Sequence, residues 1–472
     1  MDLSWVYFTE PRSPASEYRN KRMDKRVLVN IFSRILAATL CVVCAAPSPV
    51  AHSSKAFTAR FNETGADDKT DRRVYPEPKL PRLPSAGGTI TDPIFQTEIM
   101  RVTDERDGAS NGTYYAYWPT FNSDSTRLLV KKDGGDAALY NFDPQSFKLG
   151  ASKPFPRLPD GGSLITEGAI WSASDPNVLY GVQSGRARLW GLKVATRTYT
   201  LIRDFNEEFN EGDYLWQMSM SDNADVFAFT RRNSSGATIG YIVWQRSTNR
   251  VLNVADNRFN EVRLDKTGRY LTIPLNKADE RGKSFYIRDL QTGRITGLTD
   301  GKPDYSPGHA DTGSGMLIGW DRWDNRLLYR TLAAPHQFRS VLDLGSDWSM
   351  NMHVSLLGEN EDWVLISFYS YQSRPPAGAF HDELVLVKTD GSQRVRRIAH
   401  HRSVAKDYWE IPKANLSRDG RFIAFTSNWG GSGRNDLFIA RVEATDPART
   451  QRQQRTTPTE RPTQRPRRVR PN

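Results

Sequence analysis

The sequence predicts an all-β chain folded as a seven-bladed β-propeller of four-stranded blades. A strand, tight turn, strand phrase recurs seven times, at intervals of about 45–60 residues, which is the spacing of such blades. The runs flanking each turn are β-branched or aromatic, and long amphipathic helical stretches are absent. Composition agrees: of 472 residues, 38% are hydrophobic and 25% charged, so the chain can bury a sizeable core.

In chain order, the first copy is residues 121–130 (Phe-Asn-Ser-Asp-Ser-Thr-Arg-Leu-Leu-Val), followed by a weaker one at 171–180. Clear copies follow at 220–229, where Ser221-Asp222-Asn223 turns the chain, and at 264–273, where Asp265-Lys-Thr-Gly268 does so. Residues 311–320 and 353–368 are weaker copies, and 416–425 (Leu-Ser-Arg-Asp-Gly-Arg-Phe-Ile-Ala-Phe) closes the series. Asp and Gly accept the backbone angles of tight turns, which is why they recur there. Residues 95–104 read as an outer strand with no blade of its own. Residues 435–442 end a blade that lacks its fourth strand, so pairing the two segments is expected to close the ring and remove its open edge.

The ends differ from this body. Net charge is +11, yet residues 1–89 carry +5 and 449–472 carry +7, leaving 90–448 at −1. A basic face for nucleic acid on the propeller therefore has no support from composition. Residues 1–53 read as a signal-peptide region. Lys25, Arg26 and Arg34 precede an uncharged apolar run at 35–46, and small-residue cleavage options such as Ala51-His52-Ser53 follow. The long, mixed stretch before it points to Met23 as the start of translation. Twelve apolar residues fall short of the roughly 20 that span a bilayer, although a membrane-anchored or buried helix is the competing reading. Both cysteines, Cys41 and Cys44, lie in this run, so a cleaved product has no disulfide or thiolate chemistry. The expected location is the periplasm or the medium.

Residues 54–89, with Pro76, Pro78, Pro81 and Pro84, read as a Pro-rich linker. Residues 443–472 read as a basic disordered tail, which either contacts an acidic surface or stays solvated without a partner.

The phrase at 416–427, Leu-Ser-Arg-Asp-Gly-Arg-Phe-Ile-Ala-Phe-Thr-Ser, resembles the S-P-D-G-x-x-I-A-F-x-S signature of WD40-like repeats in TolB-like bacterial propellers. The resemblance covers residues 90–442 through its repeats, with Arg418 and Asn122 where the signature has Pro. It implies the fold and leaves function open, because such repeats serve transport scaffolds, peptidase propellers and lyases. Oligogalacturonate lyases are a second, more distant resemblance; they hold a divalent metal at the ring centre on His and Gln side chains. By that likeness a divalent cation, Mn or Ca, is a possible cofactor here, although no residue transfers by motif.

In a propeller, the inner strand of each blade lines the central channel. Three residues before the leading apolar position of the clear copies stand Trp118, Gln217, Glu261 and Lys413, none of them aliphatic. Glu167, His309, Asp311, His353, Trp409 and Glu410 are placed near them on inner strands. Indole faces stack on sugars or bases and carboxylates accept their hydroxyls, so this set suits a polar ligand. His309 and His353, from adjacent blades, are the candidate metal ligands, against the reading that each is simply bonded to a neighbouring blade. The adjacent His400 and His401 point to opposite faces of a strand, which disfavours chelation. No nucleophile elbow, P-loop, HExxH or paired CxxC motif is present.

The expectation is thus an exported, monomeric propeller acting as a binding scaffold for a protein or carbohydrate at one channel mouth. The alternative is a metal-dependent carbohydrate lyase with His309 and His353 as ligands and Lys413 or a channel carboxylate as base.

Overall fold

The computed structural model describes residues 69–298, 307–371 and 378–442. The leader, residues 54–68 of the Pro-rich stretch and the C-terminal tail lie outside the described residues.

Seven antiparallel sheets follow one another along the chain, as the repeat spacing predicts. The blades occupy residues 127–154, 170–204, 214–255, 263–297, 310–343 and 351–400, and a seventh is built from both ends of the chain. In that blade Asn415–Leu416, Phe422–Ser427 and Asp436–Arg441 pair in sequence order, and Glu98–Arg101 joins Asp436–Arg441 through Ile99 opposite Ala440 and Met100 opposite Ile439. Thr89–Thr91 adds a fifth strand outside it. The segment predicted as an outer strand without a blade therefore closes the ring. The first blade has three full strands. Its inner edge is reduced to a bridge between Phe121 and Leu128, because the Thr120 N–H, which would extend the ladder, donates instead to Asn415 Oδ1 at 3.3 Å.

The turns explain the repeated phrase. Ser417 Oγ accepts the Phe422 N–H at 3.0 Å and donates to Asp419 at 2.6 Å, while Asp419 accepts from the Arg421 N–H at 3.1 Å. Gly420, with φ of +73°, takes the left-handed position that ends the turn. Ser221 repeats the arrangement with the Val226 N–H at 2.9 Å. Each such bond contributes about 1 kcal/mol and pins the register of the two inner strands.

The core lies between blades. Ile318, Leu327 and Val341 of the fifth blade pack against Val354, Ile366 and Val385 of the sixth. Phe121 and Phe142 of the first blade pack against Phe422 of the seventh, with ring centroids 5.1 Å apart for Phe142 and Phe422.

The described part of the Pro-rich stretch lies against the sixth and seventh blades. Lys69 bridges Arg397, Arg397 Nη1 donates to the Arg73 carbonyl at 2.6 Å, and Trp429 Nε1 donates to the Pro81 carbonyl at 3.0 Å. Beneath it Arg397 pairs with Glu383, and Asp92 with His400 and Arg402, all fully buried. In the Gly-rich hairpin after Phe422–Ser427, the Trp429 indole is buried and stacks on Phe438 of its own blade.

Candidate functional site

The residue that opens each inner hairpin fixes a common register. Asn122, Ser221, Asp265, Gly313 and Ser417 each donate their N–H across the turn. Counting four residues back from them reaches Trp118, Gln217, Glu261, His309 and Lys413. His353 joins them by contact, its ring centroid 4.3 Å from that of His309. In the second blade the corresponding position is Gly168, whose φ is +86°. A Cβ there would stand 2.9 Å from the Met218 nitrogen, so the blades touch backbone to backbone and Glu167 supplies the side chain, accepting from Gln217 Nε2 at 3.0 Å. One turn of the channel is thus polar or aromatic all the way round.

Trp118, Gln217, Glu261 and Asp311 line one cavity, which opens among the hairpin residues Ser123, Asp222 and Arg418. Its electrostatic centre is Arg263, which sequence reasoning missed. Arg263 follows Glu261 by two residues, so the two side chains share one face of the strand. Its guanidinium lies 3.7 Å from Glu261, 3.6 Å from Asp311 and 4.2 Å from the centroid of Tyr117, and donates to the Ala310 carbonyl at 2.7 Å. Tyr117 donates its hydroxyl to Glu261. Burial pushes the Glu261 carboxyl up against the pull of Arg263 and Tyr117. Burial likewise raises Asp311, to about 6, although Arg263 and the N–H groups of Leu356 and Thr312 oppose it. Gln217 Oε1 and Arg263 Nε have no hydrogen-bond partner, so the cavity wall keeps one acceptor and one donor for a ligand.

Tyr117 lines this cavity and packs on Tyr115, with ring centroids 4.4 Å apart. The Tyr115 hydroxyl lies 3.1 Å from His309 Nδ1, and its ring meets that of His353 edge-on at 4.9 Å. His353 is buried, and neither ring nitrogen has a partner. Burial, then Arg263 and Arg322, hold His309 down to about 4; burial, then His309 and Lys413, hold His353 far below its ordinary value. Both imidazoles are therefore neutral at pH 7.

Neutral imidazoles suit a metal, but the donor set is incomplete. Among the described residues no three His, Cys, Asp or Glu side chains gather, whereas a closed site takes three or four protein donors. The nearby cations Arg263 and Lys413 oppose a further positive charge. His309 and His353 alone leave a divalent ion's shell to be completed by donors outside that set.

At this same level the seventh blade carries Lys413, with Trp409 and Glu410 just ahead of it in the chain. Trp409 and Glu410 stand on a short turn, Tyr408–Glu410, ahead of the seventh inner strand, rather than on a strand. Glu410 accepts the Lys406 N–H at 2.7 Å and stabilises that turn, and it does not line the cavity. Lys413 is buried and donates to the Tyr408 carbonyl at 2.9 Å. Burial, then Lys131, bring it down to about 7. Nor does Lys413 line the hairpin-side cavity. The aromatic pattern reads Tyr115 and Tyr117 as inner-strand core between blades, whereas they stand in a turn ahead of the first inner strand, with Tyr115 bridging Trp118.

No protein-family model matches the sequence, and no curated protein matches it. Among solved structures, an oligogalacturonate lyase in complex with manganese superposes with a TM-score of 0.58 at 13% identity, covering 77% of this chain and 98% of its own. The oligogalacturonate lyase of Vibrio parahaemolyticus gives 0.56 at 11% identity, over 76% and 99%. The WD40 repeats of RRP9 give 0.46 at 10% identity, over 73% and 97%. At these identities the shared property is the fold: this chain is a seven-bladed propeller, similar in architecture to oligogalacturonate lyases.

Proposed function

We propose that this protein is an exported, monomeric binding scaffold that takes an acidic saccharide into the hairpin-side cavity of its channel. The reading rests on Arg263, a buried guanidinium with an unused N–H in a cavity that also offers the Trp118 indole, the Gln217 carbonyl and two carboxylates. A sugar carboxylate pairs with Arg263 in place of Glu261 or Asp311, and hydroxyls bond Gln217 and the displaced carboxylate. The leader motif supports export, and the Ser-Arg-Asp-Gly phrase supports a place among TolB-like propellers.

A second reading is elimination on a uronate, favoured by the contact of Tyr117, Glu261 and Arg263. Arg263 neutralises the substrate carboxylate and so acidifies the adjacent C–H. Glu261 takes that proton, the C–O bond at the next carbon breaks as the C=C bond forms, and the Tyr117 hydroxyl protonates the leaving oxygen. Glu261 then returns its proton to Tyr117, and the cycle closes.

Calorimetry with trigalacturonate and with a neutral trisaccharide tests the first reading. Acid-specific binding that falls at least 10-fold in Arg263→Lys is expected, because an ammonium cannot make the bidentate pair. No binding of either sugar overturns it and leaves a protein partner at the channel mouth. Formation of an unsaturated product from polygalacturonate, lost in Glu261→Gln, decides for elimination; metal content by mass spectrometry on the same samples tests for a bound ion.

A further inference from the structure

At the channel mouth opposite the hairpins, two lysine side chains converge on one indole. Lys413 Nζ lies 4.9 Å from the Trp409 ring centroid and 4.0 Å from that of Tyr408; Lys131 Nζ lies 4.6 Å from Trp409. Neither lysine has a carboxylate within ion-pair distance among the described residues, although Glu167, Asp133 and Asp407 act on them from farther away. Glu167 is engaged with Gln217, and Asp407 caps the Tyr408–Glu410 turn. The Lys413 side chain is 1% exposed and its nitrogen bonds a single backbone carbonyl, while Lys131 reaches no closer partner than Ser110 Oγ at 3.5 Å.

A buried ammonium without a counter-ion is costly, and a second cation beside it adds repulsion. Aromatic faces offset part of that cost, and an anion offsets the rest. The backbone holds the arrangement in place: Lys413 sits at φ of +40°, in the left-handed region where a side chain rarely settles, and the Asp407 cap fixes Trp409. Trp409 is 48% exposed, so the site is reached from solvent.

From this geometry we infer that Lys131, Lys413 and the Trp409 turn form an oxyanion-binding site, separate from the hairpin-side cavity. Its ligand presents a carboxylate or phosphate group to the two lysines and an attached ring or chain to the exposed part of the indole. The site does not depend on the saccharide reading, because none of its three residues lines the Arg263 cavity.

Calorimetric titration of the full chain with inorganic phosphate and, separately, with acetate tests the inference and separates the two anion sources. Saturable binding of at least one anion is expected, weakened about 10-fold or more in both Lys131→Met and Lys413→Met and retained in Arg263→Lys. Lys131→Arg, which keeps the charge, is expected to retain binding, so the contrast between Lys131→Met and Lys131→Arg decides the inference if Lys413→Met fails to fold. The inference is overturned if neither anion binds, or if binding survives loss of Lys131 and disappears in Arg263→Lys.

Discussion

The imidazoles of His309 and His353, from neighbouring blades, lie with centroids 4.3 Å apart and planes inclined at 49°. Two neutral rings tolerate this approach, but a charge on either one is opposed by burial and by Arg263 or Lys413. The sign of the pH dependence follows. His309 ionises at about 4 in the folded state against 6.5 in the unfolded chain, so the unfolded state binds more protons in that window. Stability contributed by His309 is complete above pH 6.5 and falls as the pH drops, by about 2 kcal/mol at pH 5. Asp311, raised to about 6, works in the opposite direction below that pH. Asp311 offsets part of this loss, so the prediction is comparative: the change in urea midpoint from pH 7.5 to pH 5 should be less favourable to the folded state in the native protein than in His309→Gln. An equal change in both would refute this assignment.

Gly168→Ala should damage the channel without touching its chemistry. The added Cβ stands 2.9 Å from the Met218 nitrogen and 3.1 Å from the Gln217 Cα, at a φ of +86°. Both obstacles are backbone, so the third inner strand shifts and the Glu167–Gln217 bond is lost. A loss of about 1–3 kcal/mol in unfolding free energy is expected. Weaker trigalacturonate binding should accompany it. Wild-type stability in this variant would mean that the two strands do not meet as closely as described.

The ring closure was legible because its signal is local. Ser417, Asp419 and Gly420 each perform the turn chemistry that their residue types suggest, and the strand spacing counts the blades. Counting back from the turns also found Trp118, Gln217, Glu261 and Lys413, and the same count extends to His309. Arg263 was within reach of period-two reasoning from Glu261 but reads as an ordinary strand arginine until Asp311 arrives from the next blade. Tyr115 meets His309 across 194 residues and Trp429 meets Pro81 across 348, and no local pattern encodes such contacts. Lys413 and Lys131 likewise converge only once the first and seventh blades are neighbours.

Asp436 is the ionic centre of the closing blade. Its carboxylate accepts from Arg101 at 2.7 Å, from Thr103 at 2.9 Å and from Arg434 at 2.8 Å, with both the Arg101 and Asp436 side chains buried. Asp436→Asn keeps the shape and removes the charge, leaving the Arg101 guanidinium with exposed Glu105 as its remaining carboxylate partner. A cost of about 3–5 kcal/mol is expected. The urea midpoint measures it. Because the contact joins residues 335 apart, the loss should reduce the cooperativity of the whole ring. A change below about 1 kcal/mol would show that strand pairing alone holds the seam.

Trp429 fastens the Pro-rich stretch to the seventh blade by two separable contacts. Its indole stacks on Phe438 at 4.9 Å and its N–H bonds the Pro81 carbonyl at 3.0 Å, while Leu80 packs beside the following Gly430. Trp429→Phe keeps the stack and removes the hydrogen bond, and should cost about 1 kcal/mol. Trp429→Ala removes both and leaves a cavity, and should cost about 3–5 kcal/mol. The two variants differ further in what they release. With the bond gone, the chain around Lys79 and Arg82 loses its anchor to the blade, so limited trypsin digestion should cut after these residues sooner in both variants, while the blades stay intact in Trp429→Phe. Unchanged cleavage there would assign the anchoring to Arg402, whose guanidinium lies 3.4 Å from the Pro78 carbonyl and 5.6 Å from the Trp429 ring. In that case Arg402→Met, and not Trp429→Phe, would free the segment.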